Sequence, residues 1–185
     1  MSSAKIDDAA NDTCCLPFDP SLWQDDEGND YKVLHWDEKP FVKDGTYCCL
    51  HVPLNFGKAV TRSMNKIDNV PEAKVPKDQF MILSECTSPW YSNVYVSVAT
   101  AKVEGATVET ISGDFLAKAF EGDYSNIRKW VKEMKTLLPK VRESMDGEKD
   151  SAAKSSANKF YFYYPTCPKC AKKYGKNHVV ILASL

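Results

Sequence analysis

Residues 113–131 read GDFLAKAFEGDYSNIRKWV, which we interpret as a strand, a turn and the start of an amphipathic helix. Gly122 and Asp123 are typical of the turn, and Asp123 or Ser125 is a suitable N-cap for the helix. Apolar side chains then recur at helical spacing: Ile127, Trp130, Val131, Met134, Leu137 and Leu138. This stripe predicts a helix that packs on a sheet, with Trp130 in the core.

The same order of elements precedes this segment. Residues 46–52 are predicted as a strand, a helix follows, and residues 80–99 contain two further strands. After the second helix, residues 160–164 and 179–183 again have strand character. The pattern predicts an α+β fold of two pseudo-repeated β-α-β-β units, with a curved antiparallel sheet and two helices on one face.

The 185 residues are long enough for one domain. We expect residues 1–13 to form a disordered tail, because they are small and polar. The remaining segments are a packing arm (14–44), a first repeat (45–100) and a second repeat (101–185), which form a single domain. Within the second repeat, the Lys-, Glu- and Ser-rich residues 139–159 are predicted to be a flexible connection.

The charge balance argues against nucleic-acid binding. Lys and Arg number 24 and Asp and Glu number 25, for a net charge of −1. Residues 1–13 have no apolar core of a signal peptide, and no apolar run in the sequence is long enough to cross a membrane. We therefore expect a cytoplasmic protein whose partner is a small molecule. The oligomeric state stays open.

Several motifs resemble those of the GyrI-like small-molecule-binding domain family. Besides residues 113–124, they are Cys14-Cys15, Phe41-Val42-Lys43, HVPLNFG at 51–57 and CPKCAKKYGKN at 167–177. Together they resemble a stand-alone, hydrolase-like subgroup of that family over roughly residues 14–185. The resemblance implies binding, and hydrolysis, of a small aromatic or electrophilic compound, as of a xenobiotic.

One feature differs from that family. Its ligand-binding members often carry a glutamate on the strand before the last. The matching strand here is 160–164, where Tyr161 occupies about the same place.

Aromatic residues on predicted strands are the candidate ligand-binding set. Flat rings with a few hydroxyls suit a planar ligand, and the alternative is ordinary core packing. The set consists of Trp36, Tyr47, Trp90, Tyr95, Tyr161 and Tyr163, which we expect to line a groove between the two repeats.

Glu85 and His51 are the candidate catalytic residues. Glu85 ends a largely apolar strand, where a carboxylate is suited to acid–base chemistry. The alternative is an exposed glutamate at a strand end. His51 follows Cys49 by two residues, so both lie on one side of a strand and could form a base and thiol pair. Here the alternative is a hydrogen-bonded strand histidine.

The seven cysteines include a C-x-x-C motif, Cys167-Pro168-Lys169-Cys170. Its spacing suits one zinc ion, with Cys14 and Cys15 as the further candidate ligands. A thiol redox pair and a turn with inert thiols are the two other interpretations. A non-enzymatic zinc or redox protein is therefore the alternative to the small-molecule hydrolase.

Overall fold

The structure is a computed structural model that describes residues 14–49, 52–146 and 159–185. Its strands are β1 (Lys32–Cys49), β2 (Val52–Pro53), β3 (Ile82–Ser88), β4 (Tyr91–Ser97), β5 (Thr107–Glu121), β6 (Phe160–Tyr163) and β7 (His178–Ser184). The helices are α1 (Phe56–Asp68), α2 (Ile127–Asp146) and α3 (Pro168–Tyr174). A 3-10 turn at Pro20–Trp23 precedes β1.

Six of the strands form a closed antiparallel barrel. The order runs β1-β4-β3-β6-β7-β5 and returns to β1, while β2 pairs only with the end of β1. Phe41 of β1 shows the closure directly, since it pairs with Ser97 of β4 on one side and with Glu109 of β5 on the other. The predicted open curved sheet with two helices on one face is therefore wrong.

The length of β1 explains the closure. Its 18 residues pair with β5 along one edge and with β4 along the other. The register shifts between Trp36 and Lys39, where Glu38 has a positive φ of 43°. Such an irregularity bends a strand and increases its twist. The sequence interpretation placed most of β1 in a packing arm, because charged residues and Pro40 interrupt the strand pattern.

The helices α1 and α2 pack outside the barrel against different strands. The first lies on β1 and β4, and the second on β5 and β7. Trp130, Met134 and Leu138 of α2 are buried, which confirms the predicted apolar stripe. Among the described residues, no helix has both the length and the apolar composition that a membrane crossing requires.

Helix α2 also continues beyond its expected end. It runs through Pro139 to Asp146, so residues 139–146 are not the flexible connection that composition suggested. Leu138 and Val141, on either side of the proline, are buried against the barrel and hold this turn in place. Residues 147–158 of that connection, and the predicted tail at 1–13, lie outside the described residues.

The barrel interior is filled by side chains from all six strands. They are Trp36, Phe41, Met81, Leu83, Tyr95, Ile111, Phe115, Ala117, Tyr161, Val180 and Leu182. At one end, Phe18 and Trp23 from the segment before β1 pack against this core. The opposite end, near Lys43 of β1, carries polar and charged side chains instead.

Candidate functional site

The polar end of the barrel contains two carboxylates. Leu83 faces the interior, and Glu85 lies two residues further along β3, so strand alternation turns Glu85 to the same side. Glu109 is related in the same way to the buried Ile111 on β5. Tyr95 of β4 lies between them with its ring in the core.

Tyr95 connects the two carboxylates through its hydroxyl. The Oη atom donates to Oε2 of Glu85 at 2.8 Å and lies 3.5 Å from Oε1 of Glu109. A phenol has one proton, so the short contact to Glu85 is the hydrogen bond that it makes. The side-chain amide of Asn93 also donates to Oε2 of Glu85 at 2.9 Å. Both bonds use one oxygen, and within the described ranges no donor reaches Oε1 of Glu85, which can therefore accept a proton from another group.

Lys43 supplies a positive charge at this end. Its ammonium group donates to Oε2 of Glu109 at 2.6 Å and lies 5.6 Å from the centre of the Tyr95 ring. Both partners of the ion pair are partly exposed. Such a pair adds little to stability, because solvent screens it. Its consequence is local: it orients Glu109 beside Glu85.

The two interior tyrosines remain protonated at neutral pH. Burial, the bond to Glu85 and the nearby carboxylates raise the pKa of Tyr95 well above its usual value. Burial and the same two carboxylates raise the pKa of Tyr161 to about 12. Tyr95 therefore acts as a hydrogen-bond donor to Glu85. The arrangement suits a carboxylate that takes a proton from water, which is general base catalysis.

The predicted ligand-binding aromatics are distributed over the barrel. Trp36, Tyr95 and Tyr161 belong to the interior core, and the Tyr95 and Tyr161 rings are 5.8 Å apart. Tyr47 and Trp90 lie beyond the carboxylate end and are 70% and 61% exposed. We call these two exposed residues the aromatic rim. In the closed barrel, three of the six predicted residues are thus part of the filled interior and two are exposed beyond it.

Tyr163 lies near the other end of the barrel, with its ring 5.7 Å from that of Trp23. His51 lies outside the described residues, so its predicted pairing with Cys49 stays a prediction. Cys49 itself is exposed at the end of β1.

Glu109, Lys43 and Asn93 were missed by the sequence interpretation. Each sits on a strand at an inward-facing position, two residues from another inward-facing residue. This spacing is the one indication that the sequence offers. This spacing can identify the three residues only when the inward face of each strand is known.

The second candidate site is a cluster of four cysteines, in which the sulfur atoms of Cys14, Cys15, Cys167 and Cys170 all lie within 4.8 Å of one another. The Cys14 sulfur is 3.4 Å from that of Cys167, 3.6 Å from that of Cys170 and 3.8 Å from that of Cys15. All four cysteines are free. They lie close enough together to hold a metal ion.

Helix α3 positions two of these ligands. Cys167 is its N-cap residue, and Cys170 is buried in its first turn. The Cys167 backbone N–H donates to the Cys15 sulfur at 3.3 Å, and the Tyr174 hydroxyl donates to the Cys15 carbonyl oxygen at 2.7 Å. These bonds bring the adjacent cysteines to the C-x-x-C turn, although neighbouring side chains usually diverge.

The four thiols differ in acidity. Burial raises the pKa of Cys167, but hydrogen bonds from the Cys170 backbone N–H and from the other three thiols outweigh it and lower the pKa to about 7. Burial raises the pKa of Cys15 to about 12. Hydrogen bonds to Cys167 and Cys170 raise the pKa of Cys14. One thiolate is thus stabilised by the remaining thiols.

Comparison with protein families gives the class of this protein. The chain belongs to the family described as bacterial hydrolase, whose model matches residues 6–185. No curated protein matches the chain. The family match supports the hydrolase part of the predicted resemblance, while the GyrI-like assignment and the pseudo-repeat stay predictions.

Proposed function

We propose that this protein binds and hydrolyses a small aromatic or electrophilic compound, such as an aryl ester, at the carboxylate end of the barrel. The observation that carries the proposal is Glu85, whose Oε2 accepts the buried Tyr95 hydroxyl proton at 2.8 Å and whose Oε1 has no hydrogen-bond donor among the described residues. Membership of a hydrolase-named family supports it. A cytoplasmic location stays a prediction.

The residues have separate roles in this mechanism. Glu85 accepts a proton from the attacking water, whose oxygen then forms a bond to the ester carbonyl carbon. The single bond between the carbonyl carbon and the aryl oxygen then breaks, and the departing aryl oxygen takes the proton from Glu85 to give the aryl alcohol. Tyr95 and Asn93 orient the Glu85 carboxylate through their hydrogen bonds. The Lys43–Glu109 ion pair fixes a positive and a negative charge beside it. The aromatic rim holds the ring of the substrate.

The test is hydrolysis of 2-naphthyl acetate, 2-naphthyl butyrate and p-nitrophenyl acetate by the purified full chain. We expect turnover above the buffer rate. Glu104→Gln, which changes an exposed glutamate in the turn before β5, should leave that turnover unchanged. If no ester is hydrolysed faster than in buffer, the hydrolytic proposal is wrong.

Removing the aromatic rim should weaken binding. Each stacking ring contributes about 0.5–1.5 kcal/mol beyond its buried area. For the double variant Tyr47→Ala and Trp90→Ala, we expect the Kd for 2-naphthol to rise about tenfold, since ~1.4 kcal/mol corresponds to one decade. Calorimetry measures this change. Tyr124→Ala, which removes an exposed aromatic in the 3-10 turn before α2, is the matched control. Equal affinity of the rim variant and the wild type would place the ligand elsewhere.

A second candidate function is zinc binding by Cys14, Cys15, Cys167 and Cys170. A tetrahedral zinc site with Zn–S bonds of about 2.3 Å has sulfur–sulfur edges of about 3.8 Å. The observed separations of 3.4, 3.6 and 3.8 Å around Cys14 match this geometry. A disulfide needs sulfur atoms at about 2.05 Å. Four thiolates from two separate segments are typical of a structural zinc site, and soft sulfur ligands favour zinc.

The protein purified without chelator is expected to contain about one zinc ion per chain. Cys167→Ser with Cys170→Ser should lose it, because two ligands cannot hold a structural zinc ion. Cys49→Ser, an exposed cysteine outside the cluster, should retain it. Elemental analysis by mass spectrometry measures the metal. A wild-type protein with no metal, or with iron in place of zinc, contradicts this candidate.

A further inference from the structure

The four-cysteine cluster connects two parts of the chain that are far apart in sequence. Cys14 and Cys15 precede the barrel, whereas Cys167 and Cys170 follow β6. Between Cys15 and β1, residues 16–24 cross one end of the barrel, and we call these residues the plug. The plug is therefore attached at its N-terminal side by the cluster and at its C-terminal side by the chain that leads into β1.

Two aromatic side chains seat the plug. The Phe18 ring lies 4.7 Å from the His178 ring, and the Trp23 ring lies 5.7 Å from the Tyr163 ring. Both aromatics pack against the interior core, next to Leu34. The plug thus covers the end of the barrel that is opposite to the carboxylates.

Apart from these ring contacts, the plug is weakly held. The bonds of its 3-10 turn are local, from Gln24 N to Ser21 O at 3.2 Å and from Ser21 to the Asp19 carboxylate. No residue of this turn is fully buried, and Leu22 is 67% exposed. The hydrogen bonds that join residues 14–24 to the rest of the described chain are made by Cys14 and Cys15.

We infer that a metal ion bound by the four cysteines is a clasp that keeps the plug seated, and that loss of the metal opens this end of the barrel. The inference rests on the proposed zinc binding. Metal binding by residues brought together from two segments opposes separation of those segments, since its free energy is lost when they part. The barrel core itself contains none of the four ligands, so it stays folded when the clasp opens.

Release of the plug also alters a groove on the outside of the barrel. Residues of the plug also line an outer groove of about 1760 Å³ between α1 and α2, together with Phe162 and Tyr164 on the outer face of the barrel. Opening the clasp removes one wall of this groove and uncovers Tyr163 and Leu34 in the interior. Metal occupancy thereby controls access to apolar surface in two places, the end of the barrel and the outer groove.

Chymotrypsin tests the clasp, because it cleaves after the aromatic and leucine residues of the plug. The zinc-loaded full chain is compared with the same chain after removal of zinc by EDTA, and cleavage products are identified by mass spectrometry. We expect cleavage after Phe18, Leu22 or Trp23 to become at least tenfold faster without zinc. Adding zinc back should restore the slow rate. Far-ultraviolet circular dichroism should be nearly unchanged throughout.

Variants separate the clasp from zinc binding itself. Cys14→Ser with Cys15→Ser should be cleaved rapidly whether or not zinc is added, while Cys49→Ser should behave as the wild type. Phe18→Ala with Trp23→Ala should keep its zinc but show faster cleavage after Leu22, because the rings no longer seat the plug.

Each result has one interpretation. Zinc that binds stoichiometrically, without any change in the cleavage rate on its removal, overturns the clasp and leaves zinc binding intact. Loss of the β-barrel spectrum on zinc removal also overturns it, since the metal would then hold the whole fold. A chain that binds no zinc overturns the zinc proposal and the clasp together.

Discussion

Replacing Glu85 with glutamine is expected to lower the turnover of aryl esters by roughly two to four orders of magnitude, which is the usual contribution of a general base. Glutamine has nearly the shape of glutamate, and its carbonyl oxygen still accepts the Tyr95 hydroxyl proton. The variant therefore keeps the local structure but cannot take a proton from water. Steady-state kinetics with 2-naphthyl acetate measures the effect.

The Glu85→Gln substitution should change kcat and KM to different extents. A group that acts only on the transition state lowers kcat and leaves substrate binding nearly unchanged. We expect the KM of the Glu85→Gln variant to stay within about threefold of the wild type. Glu109→Gln is the informative companion, because Glu109 is already paired with Lys43 and should lose far less activity. If the turnover of Glu85→Gln stays within threefold of the wild type, Glu85 is not the general base.

Replacing Trp130 with alanine is expected to cost about 3–5 kcal/mol of the free energy of unfolding. Trp130 is 6% exposed and stacks on Phe120, with ring centres 5.3 Å apart. It belongs to the cluster that joins α2 to Leu116 and Ile181 on the barrel wall. The substitution removes this buried surface and leaves a cavity between helix and barrel. Urea unfolding followed by circular dichroism measures the loss.

The neighbouring residue provides the control for this variant. Lys129 is exposed on the same helix, so Lys129→Ala should change stability by less than about 0.5 kcal/mol. A loss below ~1 kcal/mol in Trp130→Ala would contradict the burial of this helix face.

Helix α2 and the four-cysteine cluster show how far local sequence patterns reach. The apolar stripe from Ile127 to Leu138 predicts a buried helix face, and the structure confirms it. The C-x-x-C motif, with Cys14 and Cys15 as partners, predicts a set of metal ligands that the structure brings within 4.8 Å. The helix stripe and the C-x-x-C turn depend on short spacings that the chain itself sets, whereas the fold brings Cys14 and Cys15 to that turn.

The barrel and its carboxylate end show what local sequence patterns cannot predict. In β1, charges and a proline obscure the strand, because its residues contact two neighbouring strands whose positions are unknown from the sequence. Glu109 and Lys43 are 66 residues apart in the chain, so their ion pair can be recognised only when the closure of the barrel is known.

The sequence by itself therefore determined helices α1 and α2, most of the strands, the likeness to a hydrolase-named family and the candidate set of four cysteines, but not helix α3. Only the tertiary structure decided that the sheet closes, which side of each strand faces inward, and that Glu85, Tyr95 and Glu109 meet at one end of the barrel. The physical reason is that helical periodicity and turn spacing are local properties of the backbone. Strand pairing instead depends on contacts between distant segments, whose register is set by the packing of the whole interior.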